Sequence, residues 1–188
     1  MAQPLRAPID LIDFLAMDDA SELRHEFVGG QVYAMTGGTM RHNRIAGNIF
    51  RLLAERLDGT PCQVFINDMK LHVEATDSVY YPDVFVHCGA AVASGAKAAH
   101  DATLIVEVLS DSTAMIDRRE KLVAYRKLAG LRAYWIVSQD EQRVEVHERD
   151  ASAQWLALAY VRGEALPSDG LDGGPIALAR LYAGTDIA

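Results

Sequence analysis

Apolar residues recur along this chain with two different periods, and the changes between them mark its elements. Residues 9–17 carry Ile9, Ile12 and Leu15 at helical spacing behind Pro8, and predict a short helix. Two short strand-like runs, 24–28 and 31–35, flank Gly29-Gly30 and predict a tight hairpin that Gly37-Gly38 ends. Over 40–58, Ile45, Ile49, Leu52, Leu53 and Leu57 fall on one side, the arginines and Glu55 largely elsewhere. That pattern predicts an amphipathic helix with Gly59 as its cap. Short strands are predicted over 62–66 and 69–73, the second alternating Met69, Leu71 and Val73 with Lys70 and His72. The runs 80–87 and 102–109 are apolar on both faces and predict central strands, with an Ala- and Gly-rich loop or short helix over 89–100. A second amphipathic helix is expected over 114–128, with Leu122, Tyr125 and Leu128 inward and Gly130 as a cap. Strands follow over 132–137, 143–147 and 154–161, and a short helix from Pro175 to Tyr182. Strands and helices interleave, so the expected class is α/β: a mixed sheet flanked by helices. No repeat or linker divides the chain, and 1–188 reads as one domain.

Composition narrows the picture. A chain of 188 residues that is 50% hydrophobic is expected to be globular, with a sizeable core. No apolar run has the length of a membrane span, and the first residues lack the apolar stretch of a signal peptide, so the expected location is cytoplasmic. Cys62 and Cys88 sit at strand edges without metal-type spacing, and read as buried thiols in a reducing compartment, not a disulfide. The net charge of −8 argues against coating nucleic acid over a broad face. It leaves room for a local basic groove: Arg118, Arg119, Lys121, Arg126 and Lys127 cluster, and Arg41, Arg44, Arg51 and Arg56 form a second stretch.

Two acids carry the chemical information. Asp83 lies in Tyr80-Tyr81-Pro82-Asp83-Val84-Phe85-Val86, and Glu107 in Leu104-Ile105-Val106-Glu107-Val108-Leu109. An ionised carboxylate in apolar surroundings is costly unless a cation or strong hydrogen bonds compensate it. A metal ion or a lysine is the expected compensation; the plain alternative is a pair of strand-end acids bridged to arginines. Past Glu107, Ser110-Asp111-Ser112-Thr113 supplies capping residues, and Asp117 and Glu120 load the start of the next helix. That helix folds back over the sheet, so Lys121 can return toward the acids. Glu26, beside the Gly-Gly hairpin, is a third carboxylate. Converging carboxylates make a hard oxygen site for Mg²⁺ or Mn²⁺. Such an ion polarises a phosphoryl oxygen and lowers the pKa of bound water, and a neighbouring lysine stabilises charge in the transition state. The set fits phosphodiester hydrolysis.

Each of the other residues has a plainer reading beside it. Lys121 is also placed to pair with Asp117 one turn earlier, and His42, after a Gly-rich loop, reads as a site residue or as a capping or core histidine. Asp68 reads as a turn residue and Tyr125 as core. Arg118 and Arg119 suit phosphate contacts or a solvated helix face. His72, His87, His100 and His147 show no metal-ligand spacing, so no zinc site is expected.

The ordered set Pro82-Asp83, Glu107-Val108-Leu109-Ser110 and Asp117-Arg118-Arg119-Glu120-Lys121-Leu122-Val123-Ala124-Tyr125 resembles the Uma2 family, restriction endonuclease-like proteins of the PD-(D/E)XK nuclease superfamily. His25-Glu26-Phe27-Val28-Gly29-Gly30-Gln31-Val32-Tyr33-Ala34-Met35, His42 and Tyr134-Trp135-Ile136-Val137 extend the likeness over nearly the whole chain. It implies a restriction endonuclease-like fold, metal binding by Asp83 and Glu107, support from Glu26, and DNA as substrate. The superfamily's lysine stands two residues after the second acid; here that position is Leu109, and the resemblance moves the role to Lys121. A second class of function is a catalytically inactive protein on the same scaffold, binding nucleic acid or another protein, with Lys121 facing solvent. A third is hydrolysis of a smaller phosphoester in a closed pocket. No helix-turn-helix or zinc finger is appended. A homodimer is expected, since two-fold symmetry suits cutting both strands, with 154–161 as an edge strand available for pairing.

Overall fold

A computed structural model of the protein describes residues 8–35, 37–110, 117–167 and 174–187. Its first helix, α1 (Leu11–Asp19), starts where Asp10 accepts the Asp13 N–H at 2.8 Å. The hairpin of β1 (His25–Val28) and β2 (Gln31–Ala34) turns on Gly29 and Gly30 at φ +52° and +87°, the left-handed region glycine enters without penalty. Helix α2 (Met40–Leu57) begins at Thr39, whose hydroxyl accepts the His42 N–H. Strands β3 (Cys62–Ile66), β4 (Lys70–Val73), β5 (Ser78–Tyr80), β6 (Val84–Cys88), β7 (Ala98–Ala99) and β8 (Leu104–Val108) follow. A π-helical turn, Asp117–Lys121, then runs into the short helix α3 (Leu122–Tyr125). Strands β9 (Ala133–Val137), β10 (Arg143–Arg149), β11 (Trp155–Val161), β12 (Ala165–Leu166) and β13 (Ile176–Ala177) complete the order, with a 3₁₀ turn over Leu178–Arg180.

Two sheets organise these elements. One runs β2-β1-β5-β4-β7, the other β11-β10-β9-β8-β6-β3, mixed through the parallel β8–β9 pair. Alternation along the second sheet divides its core. Val84, Val86, Leu104, Val106, Trp135 and Val137 face α2, through Ile45, Ile49, Leu52 and Leu53. Phe85, Ile105, Tyr134 and Ile136 face the other way, packing with Tyr125 of α3 and with Leu71 and Tyr80 of the first sheet. Phe14 of α1 closes the first sheet over Phe27, Val32 and Val79. The fold is thus mixed α+β, a sheet with helices on both faces.

Several expectations need correction. The run 80–87 is not one strand: β5 ends at Tyr80 in the first sheet and β6 starts at Val84 in the second. Pro82, without an N–H, stands at the crossing. The helix expected over 114–128 is described only from Asp117; 114–116, Ser112 and Thr113 lie outside the described residues. Its end is shorter than expected because Lys127 and Leu128 donate to Ala124 and Tyr125, tightening the last turn. Pro175–Tyr182 gives a two-residue strand and a 3₁₀ turn instead of a helix. Lys70, read as the outward position of an alternating strand, is buried against Asp18 and Asp19 of α1.

Cys62 and Cys88 are joined in a disulfide, not free thiols. They face each other directly in the antiparallel register of β3 and β6, with Cα atoms 4.1 Å apart. Their 26-residue separation encloses β4, β5 and Asp83. Reduction is expected to lower unfolding stability by about 2–4 kcal/mol, read as a lower thermal midpoint with dithiothreitol that Cys62→Ala/Cys88→Ala reproduces without reductant.

Candidate functional site

The acids meet where the chain passes between the sheets. Val84 pairs with Val106, so one step further the register sets Asp83 opposite Glu107 at the C-terminal end of β8. Glu107 shares a face with Ile105 and points into the layer beneath α3. Glu26 comes from β1 of the other sheet, beside β5, whose continuation carries Asp83. The crossover from β8 to the parallel β9 brings Lys121 back over this end at the close of the π-helical turn, an element that often marks functional positions.

Lys121 is the hub. It is only 4% exposed, as is Glu107. Its Nζ lies 2.9 Å from Glu26 Oε1 and 3.1 Å from Glu107 Oε1, joining acids from both sheets. The Tyr125 hydroxyl donates to the same Glu107 oxygen at 2.8 Å. Burial, and then the charge of Glu107, push the Tyr125 phenol well above its ordinary value, so it stays a proton donor. Tyr80 packs edge-on to Tyr125, Tyr125 edge-on to Tyr134, and Lys121 Nζ lies 5.7 Å from the Tyr80 ring centre. Burial pushes the Tyr80 phenol up as well. Asp83 is held through Oδ2, which accepts the Val108 N–H at 2.7 Å and lies 3.2 Å from His42 Nε2. Gly38 makes that approach possible: a Cβ there would come within 2.9 Å of the His42 ring.

Asp83, Glu107, Lys121, Glu26 and His42 therefore fall in one region, linked by contacts through Val108 and Tyr125. Lys121 faces carboxylates, not solvent. The Asp117 and Arg118 side chains lie outside the described residues, so the alternative pairing of Lys121 with Asp117 does too. Asp68 sits in a turn and pairs with Arg24. The Tyr125 ring is core, but its hydroxyl is a site contact; the hint was its position one helical turn after Lys121, where two side chains reach the same target. Tyr80 was not singled out beforehand.

The basic residues are less available than their clustering suggested. Arg126 stacks on Trp155, 5.1 Å from the ring centre, and lies 3.3 Å from His147 Nδ1. Arg41 pairs with Asp186 and Asp140, and Arg51 with Glu55. A cavity of about 730 Å³ lies at the opposite end of the sheet, lined by Cys62, Cys88, Thr103, Arg132 and Glu148, and takes in none of the site residues. Among the described residues, no helix is long and apolar enough to cross a membrane.

Comparison with known proteins bears on this arrangement. The Uma2 family model, described as a putative restriction endonuclease, matches residues 11–178. Two uncharacterized proteins of Synechocystis, slr1290 and sll1609, are 30% and 31% identical over 154 and 159 residues; the alignments cover 82% and 81% of this chain and 81% and 86% of theirs. The crystal structure of a putative nuclease belonging to DUF820 from Anabaena variabilis superposes with a TM-score of 0.73 at 17% identity, covering 93% of this chain and 98% of that one. At that identity the likeness establishes a shared fold, the restriction endonuclease-like one. The chain, with its acids and Lys121 inside the matched span, belongs to the Uma2 family.

Proposed function

We propose that this chain is a divalent-metal-dependent endonuclease hydrolysing DNA phosphodiester bonds. Asp83 and Glu107 hold Mg²⁺ or Mn²⁺, Glu26 supports them, and Lys121 assists the attacking water. The observation that carries this reading is Lys121 Nζ lying between Glu26 and Glu107 at the end of the sheet where Asp83 stands opposite Glu107. The donor set fits a hard cation, since it offers carboxylate oxygens and no sulfur. Glu26 Oε1 strengthens the fit: it is buried and reaches Lys121 only as an ion pair, without a hydrogen bond of good alignment. When bound, the cation polarises the phosphoryl oxygen and lowers the pKa of a coordinated water. The chain's own residues do the rest. His42 and the Val108 N–H orient the Asp83 carboxylate, and the Tyr125 hydroxyl orients that of Glu107. Lys121, held by two acids, offers its ammonium to a water or to the charge growing on phosphorus.

DNA is the substrate this reading implies, and a homodimer its natural assembly. Strand β11 is an outer strand of the larger sheet, with Leu156, Leu158 and Val161 exposed, and offers a pairing edge to a second copy. One observation favours a non-catalytic protein on the same scaffold: Lys121 is already neutralised by two carboxylates, an arrangement complete as a structural element.

Nicking of supercoiled plasmid separates the two. With Mg²⁺ or Mn²⁺, wild type is expected to nick, Asp83→Ala to be inactive, and Lys121→Ala to lose about 10²–10³-fold in rate, all assayed below the variants' unfolding midpoints. Cleavage that survives Lys121→Ala but not Asp83→Ala removes the lysine from the chemistry. Well-folded wild type that cuts no DNA with either ion favours the binding protein.

A further inference from the structure

A second group of ligating side chains lies away from these acids. His72 is on β4, Glu74 begins the turn that follows it, and His100 comes just after β7. Sequence spacing concealed the set, since 72 and 100 are far apart. The sheet brings them together: β4 and β7 run parallel, with Lys70 opposite Ala98 and Leu71 opposite Ala99, so the next step sets His72 beside His100. Glu74, at the start of the turn after β4, reaches the same place. One donor atom from each of the three lies within 4.8 Å of the others. The imidazoles of His72 and His100 are 5.3 Å apart and edge-on, and His100 Nδ1 lies 3.2 Å from Glu74 Oε1.

We propose that His72, Glu74 and His100 form a binding site for a divalent transition metal of the Zn²⁺ class. Two imidazoles and a carboxylate are the donors such ions select over Mg²⁺, and three protein ligands leave one position open. His72 supplies an independent reason. Its Nε2 is buried and has no hydrogen-bond partner among the described residues; such a nitrogen calls for a partner, and in the tautomer that bares its lone pair a metal can be that partner. The other two ligands can adjust to the ion, since the side chains of His100 and Glu74 are 60% and 72% exposed. The bound ion would clip the two-residue β7 onto β4.

Zn²⁺ titration of the untagged, full-length protein in excess Mg²⁺ tests the site, followed by calorimetry and by the histidine ring resonances. The expected result is one Zn²⁺ per chain, with the His72 and His100 resonances perturbed together. His100→Ala and Glu74→Gln change surface residues and leave the fold intact. Losing even an outer partner of a metal ligand weakens metal binding about 10–100-fold, so each variant should weaken Zn²⁺ by about tenfold or more. Unchanged affinity in both variants, or unperturbed His72 and His100 resonances, overturns the proposal. So does Zn²⁺ binding that disappears instead in Asp83→Ala, which would put the ion among the carboxylates. The outcome is independent of whether the protein cuts DNA.

Discussion

Replacing Lys121 with methionine is expected to lower the stability of the fold by about 3–5 kcal/mol, measured by urea unfolding in the absence of divalent cations. Methionine fills similar space without charge, so the loss isolates the ammonium. Two carboxylates from different sheets, Glu26 and Glu107, then stand close together, with the Tyr125 hydroxyl still donating to Glu107. Neutralising one of them, in Lys121→Met/Glu107→Gln, should restore part of the loss. The exposed Arg51–Glu55 pair is the control: Arg51→Ala should change stability by no more than about 1 kcal/mol. A further effect rests on the nuclease reading. If the carboxylates form a cation site, Mg²⁺ should raise the unfolding midpoint of Lys121→Met more than that of wild type, because the ion supplies the missing positive charge. An equal shift in both would separate the lysine's structural role from metal binding.

Asp18→Ala should be nearly as damaging, at about 3–5 kcal/mol. Asp18 Oδ1 accepts the His25 N–H at 3.0 Å, and Oδ2 accepts the Tyr81 hydroxyl at 2.5 Å and lies 3.1 Å from Lys70 Nζ. Removing the carboxylate leaves the buried Lys70 with Asp19 alone, deprives the His25 N–H and the Tyr81 hydroxyl of their acceptor, and loosens α1 on the first sheet. Asp18→Asn keeps an acceptor but not the charge, and should fall between. The neighbouring Asp19 adds a pH dependence. Hydrogen bonds from Lys70 and then Lys97 hold its pKa at about 2, below the ordinary 3.8. A depressed carboxylate stabilises the fold above its unfolded pKa, and that contribution fades as pH falls from near 4 toward 2. Acid unfolding of Asp19→Asn should therefore be shallower than that of wild type over this window.

Glu107 and Asp83 were legible because a charge inside an apolar run stands out whatever the topology. Lys121 was legible from its place on the helix returning over β8. What escaped were contacts between distant segments. Lys70 reads as a solvent-facing position of an alternating strand until α1, some fifty residues earlier in the chain, delivers Asp18 and Asp19 to it. Cys62 and Cys88 meet only through the β3–β6 register, and His72 and His100 only through β4–β7. The break at Pro82 was hidden because both halves of the run are apolar, and hydrophobic period does not distinguish one buried strand from two in different sheets. Of the two basic stretches, Arg126 stacks on Trp155 and Arg41 pairs with Asp186 and Asp140, partners that lie far away in the sequence.

The larger sheet ends in two unlike borders. β3 is half-buried along its whole length and cross-linked to β6, whereas the four central residues of β11 are exposed. A chain that could pair at both borders would add copy after copy into a filament. On the homodimer reading, pairing through β11 would bring a second copy edge to like edge, antiparallel about a two-fold axis, and would use up that border. Under the homodimer reading, growth would then stop at two chains, and the unlike margins of the sheet would guard it against fibre formation.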